Sequence, residues 1–151
     1  MIRKAYKYRI YPNKAQREYF AKVLGCVRFF YNKSLSDMNE LYKSKGIYKN
    51  ITPASYKEDY PFLKEVDSLA LCNAQINRNM AFKSFFKKQN AFPKYKSKRY
   101  DQSYTTNNQG SVKFSANDRY ISIPKCSRIR IHSFLDGFFL IVSISFPYFL
   151  S

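Results

Sequence analysis

Residues 3–11 read Arg-Lys-Ala-Tyr-Lys-Tyr-Arg-Ile-Tyr, with Lys4, Tyr6, Tyr8 and Ile10 alternating against Arg3, Ala5, Lys7, Arg9 and Tyr11. A period of two with Tyr and Ile content predicts a β-strand, and Pro12 ends it. A lone strand leaves its backbone donors and acceptors unpaired, so it needs a partner. The text that follows is helical, and strand-like text returns only beyond residue 110: Val112 and Phe114, then Tyr120-Ile121-Ser122-Ile123, then Ile129-Arg130-Ile131. The chain therefore has to close a sheet around a helical block. The expected class is α+β, a small sheet or barrel built from about 3–11 and 111–145 and interrupted by helices over about 13–100.

The helical block carries its own punctuation. Asn13 with Gln16 three positions later is a capping-box pattern. Phe20, Leu24, Val27, Phe30 or Tyr31, Leu35, Met38 and Leu41 then recur every three or four residues, and Gly46 is a stop signal. Gly25 falls inside this helix, where it permits close packing or marks a bend. Thr52-Pro53 opens a short helix and Tyr60-Pro61 interrupts it. Asp67 or Ser68 caps a second long helix, about 68–90, with Leu69, Cys72, Ile76, Met80 and Phe86, and Ala81 and Phe85 alongside, as its apolar side. The remaining positions, Asn73, Gln75, Asn77, Arg78 and Asn79, are rich in amides. They read either as a solvated face or as a reader of base edges, since Asn and Gln bond adenine at N6 and N7. Residues 91–110 read as a loop, and Asn117-Asp118 as a hairpin turn.

Charge narrows the function. The 151 residues hold 27 Lys+Arg and 10 Asp+Glu, a net charge of +17, with 14 Tyr and 14 Phe. Cations neutralise phosphates and rings stack on bases, so a polyanionic partner is expected. The densest stretch is 82–100, FKSFFKKQNAFPKYKSKRY, with seven basic residues, six aromatics and no acid. It includes Lys94, Lys96, Lys98 and Arg99, and the first strand adds Arg3, Lys4, Lys7 and Arg9. Residues 133–151 contain no Lys or Arg and read SFLDGFFLIVSISFPYFLS. That run is too short and too interrupted for a membrane span of about 20 apolar residues, so a buried strand with a hydrophobic end is expected and no membrane partner.

Catalytic chemistry finds few parts. Metal-dependent cleavage needs several carboxylates on one or two ions, and the acids here fall on helix surfaces and turns. Cys26, Cys72 and Cys126 lack CxxC spacing, and His132 is the single histidine. The charged N-terminus does not read as a signal peptide, which points to a cytoplasmic protein.

Several ordered blocks resemble the OrfB/TnpB proteins of IS200/IS605 insertion sequences. They are Tyr6 to Asn13 with Gln16; Gly25-Cys26-Val27-Arg28-Phe29-Phe30-Tyr31-Asn32; Ala74-Gln75-Ile76; Ala81-Phe82 and Phe85-Phe86; Phe92 to Arg99; Ser103 to Asn107; and Ile121 to Lys125. The resemblance implies a transposon-encoded, RNA-guided DNA endonuclease ancestry, related to Cas12 effectors. It implies a wedge β-barrel with its first strand at 1–12 and the rest at 109–132, and a helical, helix-turn-helix-like recognition insertion at 13–108. The partners implied are DNA and a structured guide RNA, bound by a monomer in a prokaryotic cytoplasm near the nucleoid. Carried over by motif, Gln75 lies on the recognition helix facing DNA, and Thr106 and Asn107 lie in a loop that helps read it. Arg28, Tyr31, Asn32 and Arg78 join the expected nucleic-acid-binding set. The family's RuvC-type nuclease, with its Mg²⁺-binding carboxylates and zinc ribbon, has no counterpart in these blocks, and 133–151 diverge. The expectation is thus a truncated protein that keeps binding modules without catalytic residues, metal or cofactor of its own. Completion of a split nuclease in trans, or a regulatory decoy role, are the alternatives.

Overall fold

The computed structural model describes residues 8–106 and 111–132, together with the backbone of 143–146. The elements run β1 (Arg9–Tyr11), α1 (Lys14–Lys45), α2 (Pro53–Tyr56), a 3₁₀ turn (Pro61–Lys64), α3 (Ser68–Phe86), β2 (Gln102–Thr105), β3 (Lys113–Phe114), β4 (Tyr120–Ile123), β5 (Cys126–His132) and β6 (Ser143–Phe146). The class is α+β, with all three helices between β1 and β2 in chain order.

The first strand finds its partner where expected. β1 pairs antiparallel with β5, Ile10 opposite Ile131, and the sheet continues in the order β1-β5-β4-β3. The β4–β5 turn places Pro124 first and Lys125 second, and Lys125 takes φ +60°. Proline fixing the first corner and a left-handed second residue is the type II pattern. One extra residue on β5 then makes a bulge, with Arg128 at φ +51° and its N–H donating to Ser122 Oγ at 3.1 Å. The Asn117-Asp118 hairpin forms, closed by Asp118 N–H donating to Ser115 O at 2.9 Å.

α1 is set by its caps. Asn13 Oδ1 accepts from Gln16 N–H and Gln16 Oε1 accepts from Asn13 N–H, both at 2.9 Å. Gln16 Nε2 also donates to the carbonyls of Ser127 and Arg128, at 2.9 and 3.2 Å. The same residue that starts the helix thereby fastens it to the β5 bulge. Gly46 closes the helix in the left-handed conformation, φ +64°. The helix is about 48 Å long at 1.5 Å per residue and buries Phe20, Val23, Leu24, Val27, Phe30, Leu35 and Met38. A Cβ at Gly25 would meet nothing within 4 Å, so that glycine does not serve close packing.

α3 turns a different face inward from the one its pattern predicts. Ala70, Leu71, Ala74, Arg78 and Phe82 are buried, while Cys72, Ile76, Met80 and Phe86 are exposed. β2 is a strand inside text that reads as loop, and it pairs antiparallel with β6, Tyr104 opposite Ile144. The 91–110 expectation is corrected to that extent: QSYT extends because a partner strand pairs with it. No described helix is long and apolar enough to cross a membrane.

Candidate nucleic-acid interface

Three expected residues on neighbouring turns of α1, Arg28, Tyr31 and Asn32, hold the basic segment 94–99 in place. Asn32 clamps the backbone of residue 96 from both sides: Nδ2 donates to Lys96 O at 2.9 Å, and Oδ1 accepts from Lys96 N–H at 2.8 Å. Lys96 Nζ lies 4.6 Å from the centre of the Tyr31 ring, an attraction between an ammonium and the negative ring face. Arg28 donates to Gln102 Oε1, fixing the far end of the segment at the start of β2. Lys94, Lys96, Lys98 and Arg99 are exposed along this seam. The segment is thus tied by the Asn32 clamp, by Lys96 over Tyr31 and by Arg28, with Lys94 and Lys98 exposed beside them, a form of surface that neutralises phosphates.

A second cluster joins α3 to the connector before α2. Asn50 Oδ1 accepts from Gln75 Nε2 at 3.2 Å, from Arg78 Nη2 at 3.3 Å and from Asn79 Nδ2 at 3.1 Å. Arg78 is fully buried at 0% exposure. Its Nη2 also donates to Ile51 O and Asn79 Oδ1, both at 2.9 Å, its guanidinium sits 5.8 Å from the Phe30 ring centre, and Nη1 is buried without a partner. Burial holds its pKa below the ordinary arginine range, and the hydroxyls of Tyr48, Tyr56 and Tyr31 oppose that shift.

A third cluster lies at the start of α3. The hydroxyl of Thr106 donates to Asp67 Oδ2, while Asp67 Oδ1 caps α3 by accepting from Leu69 N–H at 3.0 Å. Asn73 Nδ2 donates to Thr105 O at 2.9 Å, so the end of β2 is held against the helix start.

The structure therefore brings Arg28, Tyr31, Asn32, Lys94, Lys96, Lys98 and Arg99 together, and sets Gln75 and Arg78 in a separate network. Tyr31, Arg78 and Thr106, at 5%, 0% and 3% exposure, are buried. In this arrangement Tyr31 faces Lys96, Arg78 bonds Asn50 and Ile51, and Thr106 bonds Asp67. Arg9 is exposed, with its guanidinium 5.7 Å from the Tyr11 ring centre. Arg3, Lys4, Lys7 and Asn107 lie outside the described residues. Asn50 and Gln102 escaped sequence reasoning, since a single amide in a connector or strand start has no periodic signal; Asp67 is a cap that the sequence offered, and only its bond to Thr106 had no signal.

Acidic residues gather in one place. Asp37, Glu40 and Asp59 line a groove between α1 and residues 49–59. Asp37 is engaged there by Lys33 at 2.6 Å and by the Tyr56 hydroxyl. Among the described residues, no three His, Cys, Asp or Glu side chains converge to hold a metal ion.

Comparison with known proteins bears on residues 1–46, which match the helix-turn-helix domain of IS605 OrfB proteins. The described part of that stretch is one strand and one uninterrupted helix. A protein assigned as an RNA-guided DNA endonuclease from Streptomyces pristinaespiralis is 31% identical over 105 residues, 65% of this chain and 26% of the relative. The chain thus spans about a quarter of that relative's length. Virulence protein VsdF of Salmonella dublin is 37% identical over 111 residues, 63% of this chain and 93% of the relative.

Proposed function

This chain belongs to the OrfB/TnpB family of IS200/IS605 insertion sequences, and from that premise we propose that it binds DNA and a structured RNA through the basic seam on α1. The observation that carries the reading is the clamp of Asn32 on residue 96. It holds a cationic run against α1 through its backbone, with Lys94 and Lys98 exposed beside it. Arg9 on β1 extends the same chemistry, and Arg3, Lys4 and Lys7 are assigned to it from sequence. In this reading the family's wedge barrel corresponds to the sheet β1-β5-β4-β3, and the helices form its recognition block. Gln75 reads a base edge next to the target with its amide oxygen, because its Nε2 is directed at Asn50.

The proposed activity is binding. Binding of structured RNA and duplex DNA measured by filter retention from about 50 to 200 mM salt tests the proposal. The expected result is a steep linear fall of log affinity with log salt. Undetectable binding of both at the lowest salt overturns it.

A further inference from the structure

The connector between α1 and α2 meets the end of α3 in a groove of about 380 Å³ lined by Tyr48, Asn79, Phe82, Lys83, Phe86 and Lys87. That volume falls at the lower end of the roughly 300–1,000 Å³ of small-ligand sites. No carboxylate lines it. The Tyr48 ring stands edge-on to Phe82 and Phe86, with centres 6.0 and 6.4 Å apart and planes at 81° and 82°. Phe82 and Phe86 are nearly parallel, 21° apart at 6.3 Å. Phe82 is buried, but Tyr48 and Phe86 are 48% and 55% exposed. Two large rings left half-open beside two lysines are costly for a surface that serves solubility alone, since apolar area in contact with water is unfavourable.

We propose that this groove is a stacking site for an unpaired nucleobase, with Lys83 and Lys87 on the flanking phosphates. The inference rests on the nucleic-acid-binding reading above and adds a separate site to it, on the α3 end rather than the α1 seam. Charge complementarity selects the occupant. The open ring faces accept any base, the lysines neutralise a backbone, and the absence of an acid in the lining disfavours a cationic peptide. Asn79 has its carbonyl oxygen engaged by Arg78 and one amide hydrogen directed at Asn50. Its second amide hydrogen remains to meet a base acceptor. Phe92, packed against Phe82 and Phe85 at 5.7 and 5.2 Å, closes the back of the cluster and ties it to the basic segment beyond.

The chain has no Trp, so a fluorescent base reports alone. Full-length protein is titrated into short single-stranded DNA and RNA oligonucleotides carrying 2-aminopurine, with an unlabelled duplex as competitor. Stacking predicts quenching that duplex does not reverse stoichiometrically, and the two arms show whether DNA or RNA is preferred. Tyr48→Ala and Phe86→Ala remove exposed rings and are expected to weaken single-strand binding about 5- to 150-fold and abolish the quenching, without changing the salt slope. Phe86→Tyr restores both. Lys83→Gln with Lys87→Gln keeps the quenching at low salt and lowers the slope by about 1.4. If single strands bind but Phe86→Ala leaves affinity and quenching intact, the stacking site is wrong and the basic seam stands. If no nucleic acid binds wild-type protein at about 50 mM salt, both readings fall. A protein that binds the groove and displaces no oligonucleotide also overturns the site.

Discussion

Asn32 and Asn50 do the same chemical job with opposite results. Each is a neutral amide that organises a cation-bearing segment around itself. At Asn32 the amide grips backbone, Lys96 lies over the Tyr31 ring, and the side chains of Lys94 and Lys98 stay exposed. At Asn50 the amide grips side chains, and the guanidinium of Arg78 is drawn inside, with Nη1 left unpartnered. Transfer of a charge out of water costs several kcal/mol, so Arg78 stabilises this fold only through its hydrogen bonds to Asn50, Ile51 and Asn79 and its place over Phe30. Net charge alone does not identify a binding surface. What identifies it is which cations are held in place while still facing solvent.

The largest effect that separates the two regions comes from alkaline titration. Burial raises the phenol of Tyr19 to about 12 and pushes those of Tyr31, Tyr56 and Tyr104 above the ordinary value of 10. A folded-state pKa raised above the unfolded one gives stability that is complete below pH 10 and disappears as pH climbs through the raised values. Urea unfolding is therefore expected to show steady loss of stability from pH 10 upward. Tyr56, in the Arg78 region and bonded to Asp37, is shifted further than Tyr31 in the seam. The alkaline loss should shrink more in Tyr56→Phe than in Tyr31→Phe, and the reverse order would break the comparison.

Arg78→Ala comes next. It empties a fully buried site and removes the Arg78 donors to Ile51 O and Asn79 Oδ1, at an expected cost of about 2–4 kcal/mol by urea denaturation. Binding by the folded fraction should keep its salt slope, because this guanidinium is fully buried. Asn32→Ala removes two hydrogen bonds to residue 96 and is expected to cost about 1–2 kcal/mol. Its clearer signature is faster tryptic cleavage after Lys94 to Arg99 under native conditions. Gly25→Ala is the smallest change. With open space around its Cβ, it should stabilise α1 by about 0.5–1 kcal/mol and leave the seam unaltered; destabilisation there would mean α1 packs against something more.

α1 and the β1–β5 pairing were legible because their signals are local and mutually consistent. Asn13, Gln16 and Gly46 mark the ends of one helix, and β1 had only late strands to pair with. α3 was not legible in the same way. Its apolar residues surround the axis, so period alone leaves the inward face open, and Arg78 falls among positions that read as a solvated face or as a reader of base edges. A buried arginine is recognised only from what surrounds it, here Asn50 and Ile51 from a different segment. β2 failed for a related reason. Gln102 to Thr105 lack apolar alternation, and their pairing depends on β6, about forty residues away. Of the site, the cationic run 94–99 was evident in composition, while the clamp that makes it a surface depends on two residues 64 positions apart.

The claim that this seam carries nucleic acid is tested most directly by neutralising it. Lys94, Lys96, Lys98 and Arg99 are replaced together by Gln, and the salt dependence of duplex DNA and structured RNA binding is compared with wild type. The account predicts a slope of log affinity against log salt smaller by about 3 to 4, from four lost phosphate contacts at roughly 0.7–0.9 each. An unchanged slope, with the variant folded as wild type, would contradict it.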